Sequence, residues 1–277
     1  MNLRRKITDR VLLGLTVVAV IIALAPLASI IYYVTVRGIS SINWSFLTHN
    51  PSPTGIGGGI ANALQGSLIV ILLASAIGIP IGLLSGVFVS EFGTGRYAET
   101  IRFLADVLAG IPSIVTGIFV YTLVVLSLHS FSAFAGGVAL GFIEIPIISN
   151  TTSEALKLVP NSFREASHAL GIRKWRTTFL IMANSVGGIV TGILLATARV
   201  LGETAPMLLT AFGSYTGFSG IFNPIAVMPL LIFQDAVSGT PSLVQQAWGA
   251  SFVLLITVLG INILVRFATR GRIHYAQ

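Results

Sequence analysis

Apolar residues are gathered into six long runs, with polar residues collected between them: Val11–Val36, Ala63–Ser90, Phe103–Leu128, Phe134–Asn150, Ser185–Leu209 and Gly249–Phe267. Each run meets or exceeds the about 17 residues that the shortest bilayer-crossing helices need. A chain in hydrocarbon must satisfy its own backbone polar groups, so runs of this length predict helices. The fold class expected is an all-α integral membrane protein with six transmembrane helices in one domain. Two runs carry small residues four apart: Gly78, Gly82 and Gly86 in the second, and Gly188, Gly192 and Ala196 in the fifth. Such ridges let helix backbones approach closely, which supplies the packing that hydrophobicity cannot drive inside lipid. Pro80 predicts a kink in the second helix. Gly110, Pro112 and Gly117 fall inside the third run, and Glu144 and Pro146 inside the fourth.

The segments between the runs set an orientation. Arg37–Asn62 holds one cation and a Pro/Gly/Ser-rich patch, Asn50–Gly59, and reads as an external loop. Glu91–Arg102 is a short charged turn on the inside, and His129–Ala133 a tight external one. Thr210–Trp248 has no Lys or Arg and is placed outside, with Ile225–Ala236 apolar enough for a re-entrant or interfacial helix. The ends, with Arg4, Arg5, Lys6 and Arg10 before the first run and Arg266, Arg270 and Arg272 closing the chain, are placed in the cytoplasm. Only Arg37 then falls outside and only Arg199 within a span; every other Lys and Arg is cytoplasmic. A signal peptide cut near Ala23-Leu24-Ala25 is the competing reading of the first run, but the run continues well past that point.

Composition agrees with this picture. The 277 residues are 54% hydrophobic and only 9% charged, which excludes an ordinary soluble globule. The formal charge of +7 would suit nucleic acid. The cations sit at the ends of apolar runs, however, which points to a multi-pass protein of the cell membrane in contact with lipid and not to nucleic acid. With no cysteine, disulfides and thiolate metal sites are excluded. The four histidines are dispersed without HExxH spacing, so no metal site is expected. No Gly-Lys dipeptide occurs, so a Walker A loop is missing and no ATPase activity is expected of this chain.

The longest basic interruption is Glu154–Asn184. Ser162-Phe163-Arg164-Glu165 has the pattern of a capping box after Pro160, and Gly171 that of a left-handed helix stop. Between them Ala166, Ala169 and Leu170 offer a smooth surface. Arg173, Lys174, Trp175 and Arg176 follow. The pattern predicts a short cytoplasmic docking helix; a loop that only touches lipid headgroups is the plainer reading.

Arg199 and Glu203 are the second candidate. Four apart, they are expected on one face of the fifth helix. A lone charge at mid-membrane costs at least about 2.5–3.5 kcal/mol and normally faces a cavity or a partner. The pair is either a structural ion pair or part of a substrate pathway. The planar guanidinium suits a tetrahedral oxyanion, which would compete with Glu203 for it. Glu144 is read chiefly as structural: protonated, paired to a partner subunit, or shallower than its run suggests.

Three groups of motifs carry a family resemblance. Glu165-Ala166-Ser167, then Gly171 and Ile181, resembles the EAA loop of ABC importer permeases, although Ile181-Met182-Ala183-Asn184 departs from the usual Ile-x-Leu-Pro ending. Arg199-Val200-Leu201-Gly202-Glu203-Thr204-Ala205-Pro206 resembles a segment of the A-type permeases of phosphate-specific ABC importers. Gly58-Gly59-Ile60, Gly66-Ser67-Leu68, Leu108–Val115 and Thr151–Leu156 agree in order, from about Gly58 onward. Asn150 stands where that family often has Arg.

The resemblance implies a type I (MetI-like) permease bundle and a subunit of a phosphate importer. It implies a C-type permease as heterodimer partner, two ATPase subunits that hold the ATP and Mg, and an external phosphate-binding protein. Glu165, Ala166, Ser167, Ala169 and Gly171 would couple to the ATPase, and Arg199, Glu203 and Asn150 would lie on the pathway. Alternatives are a permease for sulfate, molybdate or phosphonate, or a proton-coupled secondary transporter using Glu203 or Glu144.

Overall fold

The computed structural model describes residues 3–93 and 95–270, without the side chains of residues 3–7, 264–266 and 268–270. The basic side chains read at the two ends, Arg4, Arg5, Lys6, Arg266, Arg270 and Arg272, therefore lie outside what is described. The described residues contain helices and no strand; Phe212 and Ile225 form an isolated bridge.

Four helices are long and apolar enough to cross a bilayer. They are α1 (Leu3–Gly38), α3 (Ala61–Val87), α7 (Ala133–Lys157) and α13 (Pro241–Arg270). A short α2 (Trp44–Thr48), capped by the Asn43 side chain on the Phe46 N–H at 2.7 Å, lies between the first two. α3 runs on through a π turn, Phe88–Phe92, and holds Pro80 within a continuous helix. Ser132 caps α7 by accepting the Ala135 N–H at 3.1 Å. The apolar helix in α13 begins at Pro241, eight residues ahead of the run read from Gly249.

Two of the six runs are not single helices. The third divides into α4 (Arg96–Gly110) and a helix made of α5 (Ser113–Val120), a π turn (Tyr121–Val125) and α6 (Leu126–Leu128), with a bend of 105°. Gly110 and Pro112 flank the break, and Pro112 has extended ψ and no N–H to continue the ladder. The fifth run is also interrupted. After α8 (Asn161–Ala169), α9 (Lys174–Asn184) meets α10 (Val186–Val200) at 69°, and a turn separates α10 from α11 (Ala205–Thr210). The segment read as external contains α12 (Met228–Ala236), which packs on α13 and α3 with Met228 and Leu230 fully buried. Ser67 of α3 accepts the Met228 N–H at 2.8 Å, satisfying one of the orphan donors at that helix start.

The centre of the bundle is the α3–α7 pair. An added Cβ on Gly78 would stand 2.7 Å from a Glu144 carboxylate oxygen, and on Gly82 2.8 Å from the Ile148 Cβ. One on Gly86 would stand 2.7 Å from the Thr152 Cβ. α7 answers with Gly137 against Leu73 and Gly141 against Ala74 and Ile77. α10 also packs on α7, with Gly192 against Thr151 and Gly188 2.9 Å (by its added Cβ) from the Ala155 Cβ. Around this pair Val70, Ala74, Leu140, Val200, Met207 and Leu230 form the central buried cluster. A second joins α2, α12 and α13, and a third joins Val87, Leu156, Ile181 and Ile189.

Gly82→Val forces a branched side chain into the Ile145 carbonyl and the Ile148 side chain. A loss of about 1–3 kcal/mol is expected, the usual cost of overpacking. A clear fall in the melting temperature of the detergent-purified protein checks this, with Gly187→Ala, where nothing lies within 4 Å, as the unaffected control.

Candidate functional site

Both helix breaks face one cavity. It measures about 150 Å³ and is lined by the Leu108–Ser113 break, by Ile143, Pro146 and Ile147 of α7, and by Arg199 and Glu203. α10 has 15 residues. At about 1.5 Å each it covers about 22 Å, short of a hydrocarbon core of about 30 Å. The turn that follows α10 therefore falls at membrane depth. Non-helical backbone at that depth is tolerated where it is buried in protein or lines a cavity, and both breaks do the latter.

Arg199 sits in the last turn of α10. Glu203 is not on that helix. The chain leaves it in tight turns, with Gly202 N–H on the Arg199 carbonyl at 3.2 Å and Glu203 N–H on the Val200 carbonyl at 3.1 Å. The expectation of one helical face is corrected accordingly: Gly202 and Pro206 flank the place where the helix stops. The two side chains still line the same cavity. Among the described residues the ion pairs are Lys157–Glu154 and Arg164–Glu91. Arg199 and Glu203 thus share a cavity without neutralising one another, and the guanidinium fork makes no hydrogen bond to a described residue. Ser113, at the start of α5, completes the polar lining. Outside the lining, α11 packs closely on α5, with Pro206 Cα 2.8 Å from where a Cβ on Gly117 would be.

Asn150 is not part of that lining. It lies one turn along α7 from Pro146 and Ile147, and its Nδ2 donates to Asp106 Oδ1 of α4 at 3.4 Å. Glu144 is away from the cavity as well. It is fully buried between α3 and α7, and Ser75 Oγ donates to its Oε1 at 3.4 Å. It is therefore not exposed to a partner.

The basic segment forms α8 and α9. The helix starts at Asn161 with Pro160 as its cap, so Ser162 is the second helical residue and makes no capping bond. The predicted box is absent because the helix starts at Asn161, which puts Ser162 inside the first turn and not at the cap. Gly171 is left-handed, with φ of 67°. Its N–H binds the His168 carbonyl at 3.0 Å, and the Ile172 N–H binds the Ser167 carbonyl at 3.0 Å, which together make a Schellman stop. Glu165, Ala166, Ala169 and Gly171 are exposed, Ser167 is half-buried, and Phe163 and Leu170 stand 55% and 78% exposed beside them.

Sequence reasoning passed over three features. The Gly110-Ile111-Pro112 triplet was legible as a break, because two helix breakers lie within three residues. Asp106 as partner of Asn150, and Glu91 as partner of Arg164, are contacts between distant segments that carry no local signal.

Fold and cavity together define an all-α, multi-pass membrane transport component: a glycine-packed bundle with a charged cavity at its helix breaks and a capped helix beside it. Residues 78–271 match the family model described as the binding-protein-dependent transport system inner membrane component. The chain belongs to this family, in the group of the PstA permeases. It is 41% identical over 265 residues to the phosphate transport system permease protein PstA of Yersinia pestis, covering 95% of this chain and 90% of that one. It is 39% identical over 270 residues to the protein of the same name from Haemophilus influenzae, covering 96% of each. With PstA 1 of Mycobacterium tuberculosis it shares 37% over 283 residues, covering 98% of this chain and 92% of the relative. Among solved structures it resembles a chain of the MetNI methionine ABC transporter in an inward-facing conformation, with a TM-score of 0.57. That match is 17% identical and covers 79% of this chain and 94% of the other, and it shows the MetI-like fold.

At Gly171 an added Cβ would meet nothing within 4 Å, so only the positive φ opposes substitution. Gly171→Asn is expected to be tolerated. Gly171→Val is expected to cost about 1–2 kcal/mol or more, because a branched side chain crowds the left-handed region. Comparing ATPase subunits retained by the two variants on affinity purification tests this.

Proposed function

We propose that this chain is the transmembrane permease subunit of an ATP-driven inorganic phosphate importer, forming half of its translocation pathway. The observation that carries the reading is the unpaired Arg199 guanidinium in a cavity at membrane depth, in a chain with PstA relatives. At about 30 Å³ per water, the cavity holds about five waters. That suits a small anion better than a bulky solute. The Arg199 fork can donate two parallel bonds to a tetrahedral oxyanion, and the start of α5 at Ser113 presents backbone donors beside it. Glu203 lowers the net charge of the site, which keeps binding weak enough for release toward the cytoplasm. Asn150, hydrogen-bonded to Asp106, would lie one turn further along that path.

The other half of the pathway would come from a C-type permease. Of two ATPase subunits, which would hold ATP and Mg, one would dock on α8 through Glu165, Ala166, Ser167, Ala169 and the Gly171 stop, and the other on the partner permease. A phosphate-binding protein would deliver phosphate to the external face. ATP binding would draw the two docking helices together and rock the bundles between two states. The absence of any Gly-Lys dipeptide supports assigning hydrolysis to those partners.

The test is labelled phosphate uptake into proteoliposomes holding the full complex, with binding protein outside the permease, ATP at the ATPase face, and excess sulfate in parallel. Uptake that requires ATP and ignores sulfate is expected. ATP-driven uptake of sulfate, molybdate or phosphonate instead would move the substrate. Uptake driven by a proton gradient without ATP would make the chain a secondary transporter. Arg199→Ala should reduce uptake by roughly 10–100-fold while the complex assembles normally, since a hydrogen bond to a charged group contributes about 1.5–3 kcal/mol. Arg199→Lys should recover part of it.

A further inference from the structure

The coupling segment is attached to the bundle in an unequal way. α9 and α10 are anchored by apolar packing, with Ile181 and Ile189 buried against Leu156 and Val87. α8, the docking helix, has no buried residue and packs chiefly on α9. Apart from the short Leu158–Pro160 linker from α7, in which Val159 is buried, the side-chain hydrogen bonds that tie it to the spanning helices come, among the described residues, from one side chain. Arg164 gives Nε to Glu91 Oε2 at 3.2 Å and Nη2 to Glu91 Oε1 at 2.6 Å, a two-pronged pair. Its Nη2 also reaches the Leu156 carbonyl at 3.0 Å and its Nη1 the Val159 carbonyl at 2.8 Å, so the same guanidinium closes the C-terminal end of α7. The Glu91 side chain is 5% exposed and that of Arg164 21%.

Glu91 lies in the π turn that ends α3, and the neighbouring Phe92 carries Lys174 of α9 5.0 Å from its ring centroid. α3 in turn is the helix whose glycines lock onto α7. A cleft of about 450 Å³, lined by Glu91, Lys157, Arg164, His168 and Lys174, opens beside the pair.

We infer that Arg164 and Glu91 are positioning residues that transmit movement of the docking helix to α3, and so to the cavity around Arg199. This rests on the proposed ATP-driven import. A push or pull on α8 reaches the bundle as displacement only if the link between them is stiff. A forked, two-bond pair with two further carbonyl bonds is stiff where a lysine or an amide is not.

The experiment measures phosphate imported per ATP hydrolysed in the same proteoliposomes. R164Q and E91Q complexes are expected to assemble and to hydrolyse ATP, but to import at least tenfold less phosphate per ATP. R164K, which keeps the charge and loses the fork, should fall between. A merely structural role would lower uptake and hydrolysis together, in step with the amount of assembled complex, and leave their ratio unchanged; an unchanged ratio overturns the inference. If R164Q does not assemble, R164K decides on the same ratio. A wild-type complex without ATP-dependent uptake would sink the proposed function itself, whereas normal wild-type import with a normal ratio in the variants would sink only the link.

Discussion

Inside a bilayer an apolar side chain gains nothing by leaving lipid for protein, so the bundle depends on how closely α3 and α7 can approach. Gly78, Gly82 and Gly86 leave room on one helix for Glu144, Ile148 and Thr152 of the other, and Gly137 and Gly141 return the favour for Leu73 and Ala74. That contact places the rest. Val70 and Ala74 on one side and Leu140 on the other form the floor on which Val200, Met207 and Leu230 pack. α7 also takes α10, through Gly192 and Thr151. Both helices that bear the cavity are thus held by reference to α7, which itself contributes Ile143, Pro146 and Ile147 to the lining.

Two carboxylates and one guanidinium within or beside this bundle illustrate different solutions to the cost of a charge at depth. Glu144 is enclosed completely, with a serine hydroxyl on one oxygen, and the glycine beside it makes that enclosure possible. Glu91 is nearly as enclosed but is matched by a forked cation. Arg199 is neither enclosed nor matched: it lines a cavity, as Glu203 does, and the two do not close on each other. A charge that the fold leaves unanswered in this way is available to something that enters from outside the chain.

The apolar runs and glycine spacings made the class of fold legible, because length and four-residue periodicity are local properties of the sequence. They did not show that two runs are broken. Hydropathy is blind to a backbone that turns within the same apolar composition, and Ile111 and Pro112 are no more polar than their surroundings. Glu203 illustrates the same limit: a spacing of four implies a shared face only while the helix lasts, and α10 ends at Val200. The docking segment shows a different failure. Ser162 and Glu165 fit a capping pattern, yet Pro160 takes the cap position and leaves Ser162 inside the helix. Gly171 was readable because left-handed geometry favours one residue type almost regardless of context. The Arg164–Glu91 pair spans 73 positions, and nothing local distinguishes either residue from its exposed neighbours.

The way the basic segment is secured also bears on how the molecule can move. Ile181 and Ile189 root α9 and α10 in a buried cluster, whereas α8 buries nothing and leaves Phe163 and Leu170 open to a partner. Between them run only Leu170, Gly171, Ile172 and Arg173, with the glycine in a conformation few other residues hold. Apolar burial tolerates sliding, because its energy varies smoothly with overlap. A forked hydrogen-bonded pair does not, because its energy falls steeply with angle and distance. A partner that gripped α8 would therefore meet a compliant joint at Gly171 and a rigid one at Arg164. Displacement would travel by the rigid route, into the end of α3 and along the glycine contact to α7, and reach the Pro146–Ile147 wall of the cavity before it disturbed the apolar root of α10.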